Sequence, residues 1–385
     1  MPNVEYLKAD INDYEAVVDL IDLVFSIYSP HDFAKLFPAQ YTKNNFMTGT
    51  NYIVKEDGKI VANVGTYPAE YYICGKTLKV SGLTSVAVHS RARSKGYMNK
   101  LMEMAVSDMR NDGIDFSFLY GLRQRYEYFG YTPCGVRFDY SCNKHNIQHS
   151  FGKTLNKDIS LKEAEINDIE MFDDIFKKYT DTKVYIKRPR ERFPDIMGTW
   201  ENKTFGIYKS NRFIGYISVS KDYSSICELS IDDPGLLGSV LNTYLEQFKR
   251  NDVSVTVFPF EKALIRSLSK FTEYVSVHND NNFYVIDFLD VIDSFLKLKC
   301  ETVTIPDGSI TFDIKDIGNI TISILNNQPS VMFTDEKPDA RLDRLEASRL
   351  FFSHFSAYSV SPVDDNHFAR SLFPLPLFVR KLDRT

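Results

Sequence analysis

The sequence predicts a mixed α/β protein: two tandem copies of one α+β unit, then a third α+β region. Three observations carry this. From Thr84 to Met109, an apolar β-branched run, a short basic loop with one glycine and an amphipathic helix follow one another. The stretch Leu7-Lys8-Ala9-Asp10-Ile11-Asn12-Asp13 recurs, with one insertion, as Leu161-Lys162-Glu163-Ala164-Glu165-Ile166-Asn167-Asp168, and similar elements follow both in the same order. After Asn282, short apolar runs alternate with turns at Asp307-Gly308 and Ile317-Gly318-Asn319, with helical stretches on either side.

The elements follow from local signals. Asp10 to Asp13 offers Asp or Asn as a helix cap, and apolar positions from Ala16 to Phe25 continue the helix. Ser29 to Thr48, with Pro30 and Pro38, reads as short helices or an ordered loop. Tyr52 to Val64 is a hairpin about Glu56-Asp57-Gly58-Lys59. A second hairpin turns near Cys74-Gly75-Lys76 and leads through Leu78-Lys79-Val80 to the strand Thr84–Val88. The helix after the basic loop repeats apolar residues at Met98, Leu101, Met102, Ala105 and Met109, and Asn111-Asp112-Gly113 ends it. Phe116 to Tyr120 is the next strand. In the second copy Phe205 to Ile217 is a hairpin about Lys209-Ser210-Asn211-Arg212. Cys227–Ile231 stands where Thr84–Val88 stood, a helix spans Leu236 to Phe248, and Asp252–Thr256 echoes Asp115–Leu119. The third region predicts a strand at Phe283–Asp287 and a helix at Val291–Leu298. Strands follow at Glu301–Ile305, Ser309–Ile314, Asn319–Ile324 and Ser330–Thr334, then helix from Leu342 to Tyr358.

Composition bounds the function. A chain of 385 residues holds two or three domains, and 43% hydrophobic with 25% charged residues is the make-up of an ordinary soluble protein. A net charge of −5 argues against a general nucleic-acid binder and favours a cationic substrate. Five scattered cysteines without a Cys-x-x-Cys pair argue against a structural metal or a disulfide framework, so no metal is expected. Met1 to Glu5 does not read as a secretion signal, and no apolar run reaches membrane-spanning length. A cytoplasmic protein without membrane partners is expected.

The chemistry concentrates in the basic loop. A helix N-terminus presents unpaired N–H groups and partial positive charge. Arg91, Arg93 and Lys95 add charge, and Gly96 lets a ligand approach the backbone, a combination suited to a diphosphate. In the second copy the loop is Asp232-Asp233-Pro234-Gly235, with acids where the bases stood. Like charges about 4 Å apart cost several kcal/mol at an effective dielectric near 20. One cofactor site per chain, in the first copy, is therefore expected.

The segment Tyr126-Glu127-Tyr128-Phe129-Gly130-Tyr131 would alone be an aromatic turn packed on a sheet. With Val86-Ala87-Val88 and Arg93-Ser94-Lys95-Gly96-Tyr97-Met98 it resembles the GNAT N-acetyltransferases, and more closely their enhanced intracellular survival (Eis) type. The general loop pattern of the family ends in Gly or Ala, where this chain has Met98. The resemblance implies a catalytic GNAT domain at 1–150, a second, degenerate GNAT-like domain at 151–281, and a sterol-carrier-protein-like domain at 282–385 whose C-terminus reaches the active site.

It further implies acetyl-CoA as co-substrate. Val86, Ala87 and Val88 of the strand, and Arg91, Arg93, Ser94, Lys95 and Gly96 of the loop, would bind it. Tyr97, Met98 and Asn99 of the first helical turn would join them, with Gly121 and Leu122 after the next strand. The Val88 N–H would bond the thioester oxygen, and Tyr126 would act as general acid towards the sulfur, phenol and thiol having similar pKa values. In the family the C-terminal α-carboxylate is the general base, which places that role on Thr385. Members usually end in an aromatic residue, whereas this chain ends Lys381-Leu382-Asp383-Arg384-Thr385. A carboxylate of pKa about 3.5 is a weak base for an amine, so it would act through water or by attracting the substrate cation. Asp383 would add to that negative field, and Asp22 and Asp32 are further substrate-binding candidates. The implied acceptor is a small cationic amine or a lysine-containing substrate, with aminoglycosides, polyamines and lysine side chains as examples. A homo-oligomer, hexameric in some members, is expected. The competing functions are a degenerate, CoA-binding sensor or scaffold, and a lipid carrier acting through the last domain.

Overall fold

The computed structural model describes residues 2–27, 30–356 and 366–384. The strands of the first unit are β1 (Val4–Lys8), β2 (Asn51–Glu56), β3 (Lys59–Ile73), β4 (Lys76–Val88), β5 (Phe116–Leu119) and β6 (Thr132–Cys134). Next come β7 (Arg137–Asn143), β8 (Ile159–Glu163), β9 (Val184–Ile186), β10 (Lys203–Lys209), β11 (Arg212–Val219), β12 (Ser225–Ile231), β13 (Asp252–Val257) and β14 (Tyr274–His278). The last are β15 (Asn281–Val285), β16 (Gly308–Ile314), β17 (Gly318–Leu325), β18 (Gln328–Phe333) and β19 (Ala340–Leu342).

They form three sheets. The first has the order β1-β2-β3-β4-β5-β15-β6, with β9 against the far end of β3. The second runs β14-β7-β13-β12-β11-β10-β8, and the third β18-β17-β16-β19. In the first two sheets the chain repeats one order: strand, helix, hairpin, strand, helix, parallel strand. The first helix, Tyr14–Phe25, follows a turn capped by Asp10, which accepts the Asn12 N–H at 2.7 Å, and it buries Val17, Leu20 and Ile21. The helix Tyr97–Asn111 buries Tyr97, Leu101, Met102, Ala105, Val106 and Met109. The two helices cover opposite faces of the sheet. Tyr52 and Val54 of β2 pack with the second helix and Ile53 with the first, as strand alternation requires. Phe33–Leu36 and Pro38–Tyr41 are the short helices expected in the proline-containing stretch; Ser29 lies outside the described residues.

Each unit has one central parallel pairing, and it is short. β4 pairs β5 only from Val80 to Gly82, and β12 pairs β13 only at Ser225 and Ile226. Beyond those residues the strands part, so a cleft opens in each sheet.

Strand membership crosses the boundaries at 150 and 281. β15 inserts between β5 and β6 of the first sheet, so the strand expected to open the third region completes the first unit instead. β7, from the end of the first unit, lies between β13 and β14 of the second sheet. The expected strand at Glu301–Ile305 is also corrected. The helix Phe288–Thr302, capped by Asp287, takes in Glu301, because Val291, Ile292, Phe295, Leu296 and Leu298 keep helical spacing onto one core. Its later partner, Arg344–Phe352, is capped by Asp343; Tyr358, the expected end of that helical stretch, lies outside the described residues. The interior of the third sheet is filled by the rings of Phe312, Phe351, Phe352 and Phe373. Among the described residues no helix is long and apolar enough to cross a membrane.

Candidate active site

The cleft of the first sheet starts at a bulge. The β3–β4 register shifts between Asn63 and Gly65, so that Ser85 and Val86 together face the single residue Val64, with Ser85 at φ 49°. The Asn63 side-chain amide donates to the Ser85 carbonyl at 2.9 Å and holds the bulge. The His89 N–H donates to the Val61 carbonyl at 2.9 Å, so the alternation of an antiparallel ladder turns the neighbouring Val88 N–H away from β3. It points into the opening that β5 has left.

The basic loop ends at the mouth of this opening. Ser94 and Gly96 have φ 62° and 76°, which swing the backbone tightly into the helix Tyr97–Asn111. Among the described residues no side chain caps this helix, so its first N–H groups stay open to an anion. They lie in a groove of about 730 Å³ lined by Val86 and Val88 of β4, by Arg93 to Asn99, and by Arg125 and Tyr126, with Val24, Phe25 and Ile27 forming the opposite wall.

The three expected cations separate here. Arg93 lines the groove, and its guanidinium makes no hydrogen bond or ion pair among the described residues. Lys95 also lines it, but its ammonium is held by Glu56 at 2.6 Å. Arg91 sits exposed on the one-turn helix Ser90–Ala92, outside the groove lining. A second uncommitted guanidinium comes from Arg125, which sequence reasoning took only as part of the aromatic segment. Ala87 is corrected too: it is fully buried on the other face of β4, in the core under the first helix. Ser94, Tyr97, Met98 and Asn99 line the groove, whereas Gly121 and Leu122 line an adjoining cavity.

Tyr126 closes the short helix Arg123–Tyr126 and is 9% exposed. Its ring lies on Gly121: a Cβ there would stand 2.5 Å from the ring carbon Cε2, so any side chain at 121 would displace the ring. Burial pushes the Tyr126 phenol above its ordinary range, against the pull of the Arg125 guanidinium. Beyond Tyr126 an inner cavity of about 250 Å³ continues from the groove, sharing Phe25, Val86, Arg125 and Tyr126 with it. Phe33, Phe37, Leu83 to Ser85, Leu119 to Leu122 and Trp200 complete its wall with His31. Tyr120 and Trp200 in turn border an outer cavity of about 630 Å³ between the second sheet and the C-terminal segment.

The expected acids do not face the groove or the inner cavity. Asp22 accepts the Phe33 N–H at 2.8 Å, and burial raises its carboxyl. Asp32 caps the helix Phe33–Leu36 through the Lys35 N–H at 3.1 Å. Asp383 is buried and held by two bonds from Arg188, at 2.7 and 2.9 Å. Arg188 shares its charge with Glu228 at 2.7 and 3.1 Å, and Tyr216 donates to Glu228 at 2.7 Å. Asp383 is thus committed to Arg188, which it shares with Glu228, and it lines neither the groove nor the inner cavity. Thr385 lies outside the described residues.

The second cleft has been closed by the chain itself. Asp232 pairs with Lys178 at 2.5 Å, and Asp233 accepts the Gly235 N–H at 2.8 Å, so a carboxylate already occupies an N–H at the turn into its helix. The C-terminal segment packs into the opening between β12 and the end of β13. The Phe378 ring centre lies 4.2 Å from that of Phe258 and 4.9 Å from that of Phe260, and Arg380 pairs with Glu261 at 2.7 Å. About 260 Å³ remains there, with Arg380 in its wall.

Residues 5–134 match the family model described as an acetyltransferase (GNAT) domain. No curated protein matches at the level of sequence. Among solved structures, the chain is similar to a GCN5-related N-acetyltransferase from Kribbella flavida, with TM-score 0.68 and 13% identity over 100% of this chain and 99% of that one. A GCN5-related N-acetyltransferase from Anabaena variabilis gives TM-score 0.66 and 13% identity over 100% of both chains. Eis1 from Mycobacterium abscessus gives 0.64 and 11% over 100% of this chain and 98% of that one. These identities establish a shared fold over the full chain. Residues 5–134 are therefore an acetyltransferase (GNAT) domain, and the chain as a whole shares the fold of these GCN5-related N-acetyltransferases and of Eis1.

Proposed function

We propose that the protein transfers the acetyl group of acetyl-CoA directly to a primary amine, using the groove of the first unit alone. The observation that carries this is one continuous path: an uncapped helix N-terminus, two uncommitted guanidiniums, a strand N–H turned into an opening, and a buried phenol. Acetyl-CoA supplies the thioester. The N–H groups opening the Tyr97–Asn111 helix, with Arg93 and Arg125, fit its diphosphate: nothing stands within 4 Å of where a Cβ on Gly96 would lie, so the backbone is open to approach. The Val88 N–H faces the developing charge on the thioester oxygen, a contact of the kind worth about 10²–10³-fold in rate. Tyr126 gives its proton to the departing thiolate. Its raised pKa keeps the phenol protonated at the pH where an amine begins to lose its proton, so acid and acceptor are ready together. The Thr385 carboxylate is the base that the Eis resemblance implies.

A thiol-release assay across a panel of amines tests this. Tyr126→Phe should lower kcat by about 10²-fold or more while the Kd for acetyl-CoA changes less than about threefold. The rate should rise with pH as the amine deprotonates, without a falling limb below about pH 10. Unchanged kcat in Tyr126→Phe would remove the phenol from the chemistry. Tight acetyl-CoA binding with no turnover of any amine would leave a CoA-binding scaffold.

A further inference from the structure

The walls beyond Tyr126 say which amine is accepted. Resting on the transfer reading above, the geometry points to an acceptor that is an aromatic monoamine with a carboxylate at its far end, and away from a polycation. The inner cavity is walled by the rings of Phe25, Phe33, Phe37, Tyr120 and Trp200, and among the described residues no Asp or Glu lines it. The nearby acids of the first helical layer are occupied, Asp22 by the Phe33 N–H and Asp32 by the Lys35 N–H. An ammonium entering such a space would lose its water without gaining a counter-charge from the side chains that line it, so the cavity favours the neutral amine. Only the neutral amine has the lone pair that attacks the thioester carbon. The C–N bond forms, the C–S bond breaks and the thiolate takes the Tyr126 proton; the amine's surplus proton passes through the base to solvent, and a proton from solvent restores the phenol, so no net proton is gained or lost.

Trp200 is a built wall. It has φ 58°, a left-handed backbone that bulky residues rarely adopt, and its ring centre lies 4.6 Å from that of Phe37. The next residue, Glu201, ties this turn to both units, pairing with Lys35 at 2.8 Å and with Lys221 at 2.5 Å. With Tyr120, Trp200 also borders the outer cavity, so a ring-bodied molecule leaving the inner cavity runs along these two side chains.

The outer cavity holds the charge for the far end. Its carboxylates are committed: Asp139 accepts from Arg137 at 3.0 Å and from the Thr256 hydroxyl at 2.7 Å, and Asp222 accepts from Ser220 and Ser224 at 2.7 and 2.8 Å. Among its cations Lys221 is held by Glu201 and Arg384 by Asp280. Lys381 lines the same cavity, and its ammonium makes no hydrogen bond or ion pair among the described residues. A carboxylate on the acceptor would find a partner there, whereas a polyamine would meet cations and spoken-for acids.

The sequence has one tryptophan, so Trp200 emission reports directly on occupancy of both cavities. The test titrates CoA-loaded full-length protein with 4-(aminomethyl)benzoate, benzylamine and spermidine, and repeats the series as thiol-release acceptors with acetyl-CoA. Saturable emission changes are expected for the two ring amines, with 4-(aminomethyl)benzoate about tenfold tighter, and none for spermidine. Lys381→Gln should collapse the ratio between the two ring amines to about one. Trp200→Phe, read by thiol release, should raise KM for both ring amines more than it lowers kcat. Spermidine saturating more tightly than 4-(aminomethyl)benzoate, or a ratio that survives Lys381→Gln, overturns the assignment. Turnover confined to spermidine would overturn it while leaving amine acetylation intact. The expected binding order with no turnover would uphold it and instead defeat the transfer reading.

Discussion

Replacing Arg188 with methionine should unfasten the C-terminal segment from the second cleft. The side chains of Arg188 and Glu228 are each 1% exposed and that of Asp383 3%. One guanidinium serves both carboxylates, and it also lies 4.0 Å over the Tyr179 ring. Removing the shared cation strands two carboxylates, and breaking a buried pair in this way costs about 3–5 kcal/mol. The sign of the pH dependence follows. In the intact network burial works against the ionisation of Glu228 but Arg188 holds its carboxyl below the usual range, whereas burial pushes that of Asp383 up despite the same guanidinium. Without Arg188 both folded carboxyls would titrate above their unfolded values. Such groups stabilise the fold below the unfolded pKa of about 4, and that contribution is lost as pH rises through the raised folded values. The deficit of Arg188→Met should therefore be larger at pH 8 than at pH 5. Urea unfolding at both pH values, followed by circular dichroism, measures it. Asp383→Asn keeps a hydrogen-bond acceptor and should cost only about 1–2 kcal/mol. A variant as stable as the parent, or a larger deficit at pH 5, would refute the reasoning.

Two further outcomes follow from close contacts. Gly121→Ala places a Cβ 2.5 Å from the Tyr126 ring and 3.1 Å from Leu119 Cδ1, so the ring must shift. We expect kcat to fall about tenfold or more with little change in acetyl-CoA affinity, and equal losses in both would contradict the placement of the ring. Asp115 accepts the Lys79 N–H at 2.6 Å, and burial, with Asp287 and Asp290 nearby, pushes its carboxyl up to about 6. Because its folded value is raised, its stabilising contribution is present below about pH 4 and lost as pH rises through about 6. Allowing for solvent screening of a half-buried group, Asp115→Asn should be more stable than the parent by about 1 kcal/mol at pH 8, with the gap closing near pH 4. Thermal melts at the two pH values check this.

What the sequence made legible was written at short range. Asp10 as a cap, the apolar spacing from Tyr97 to Met109 and the turn at Ser210 and Asn211, with φ 48° and 66°, each depend on neighbours within a few residues. The repeat added the order of elements and the acids at the second loop, Asp232 and Asp233, which the structure pairs with Lys178 and with the Gly235 N–H. The misses all turn on distant partners. Lys95 looked available because Glu56 is 39 positions away, and Asp383 looked like a surface acid because Arg188 is 195 away. β15 looked like the start of a new domain because its hydrogen-bond partners, β5 and β6, come before the whole second unit. Arg125 could have been singled out, since it stands beside Tyr126 in a motif already taken to approach the cofactor. Trp200 had no local signal beyond being the only tryptophan; its placement comes from a left-handed backbone turn and from packing on Phe37.

The most direct measurement is calorimetric titration of acetyl-CoA into the parent chain and into Arg93→Glu/Arg125→Glu. One site per chain is expected in the parent, because only the first unit keeps its helix N-terminus open and its cleft unfilled. Each charge-assisted contact to a phosphate contributes about 1.5–3 kcal/mol, so losing both should weaken Kd by at least about 100-fold, with the fold unchanged by circular dichroism. Two sites per chain, or a double variant that binds as tightly as the parent, would contradict the diphosphate site at its foundation.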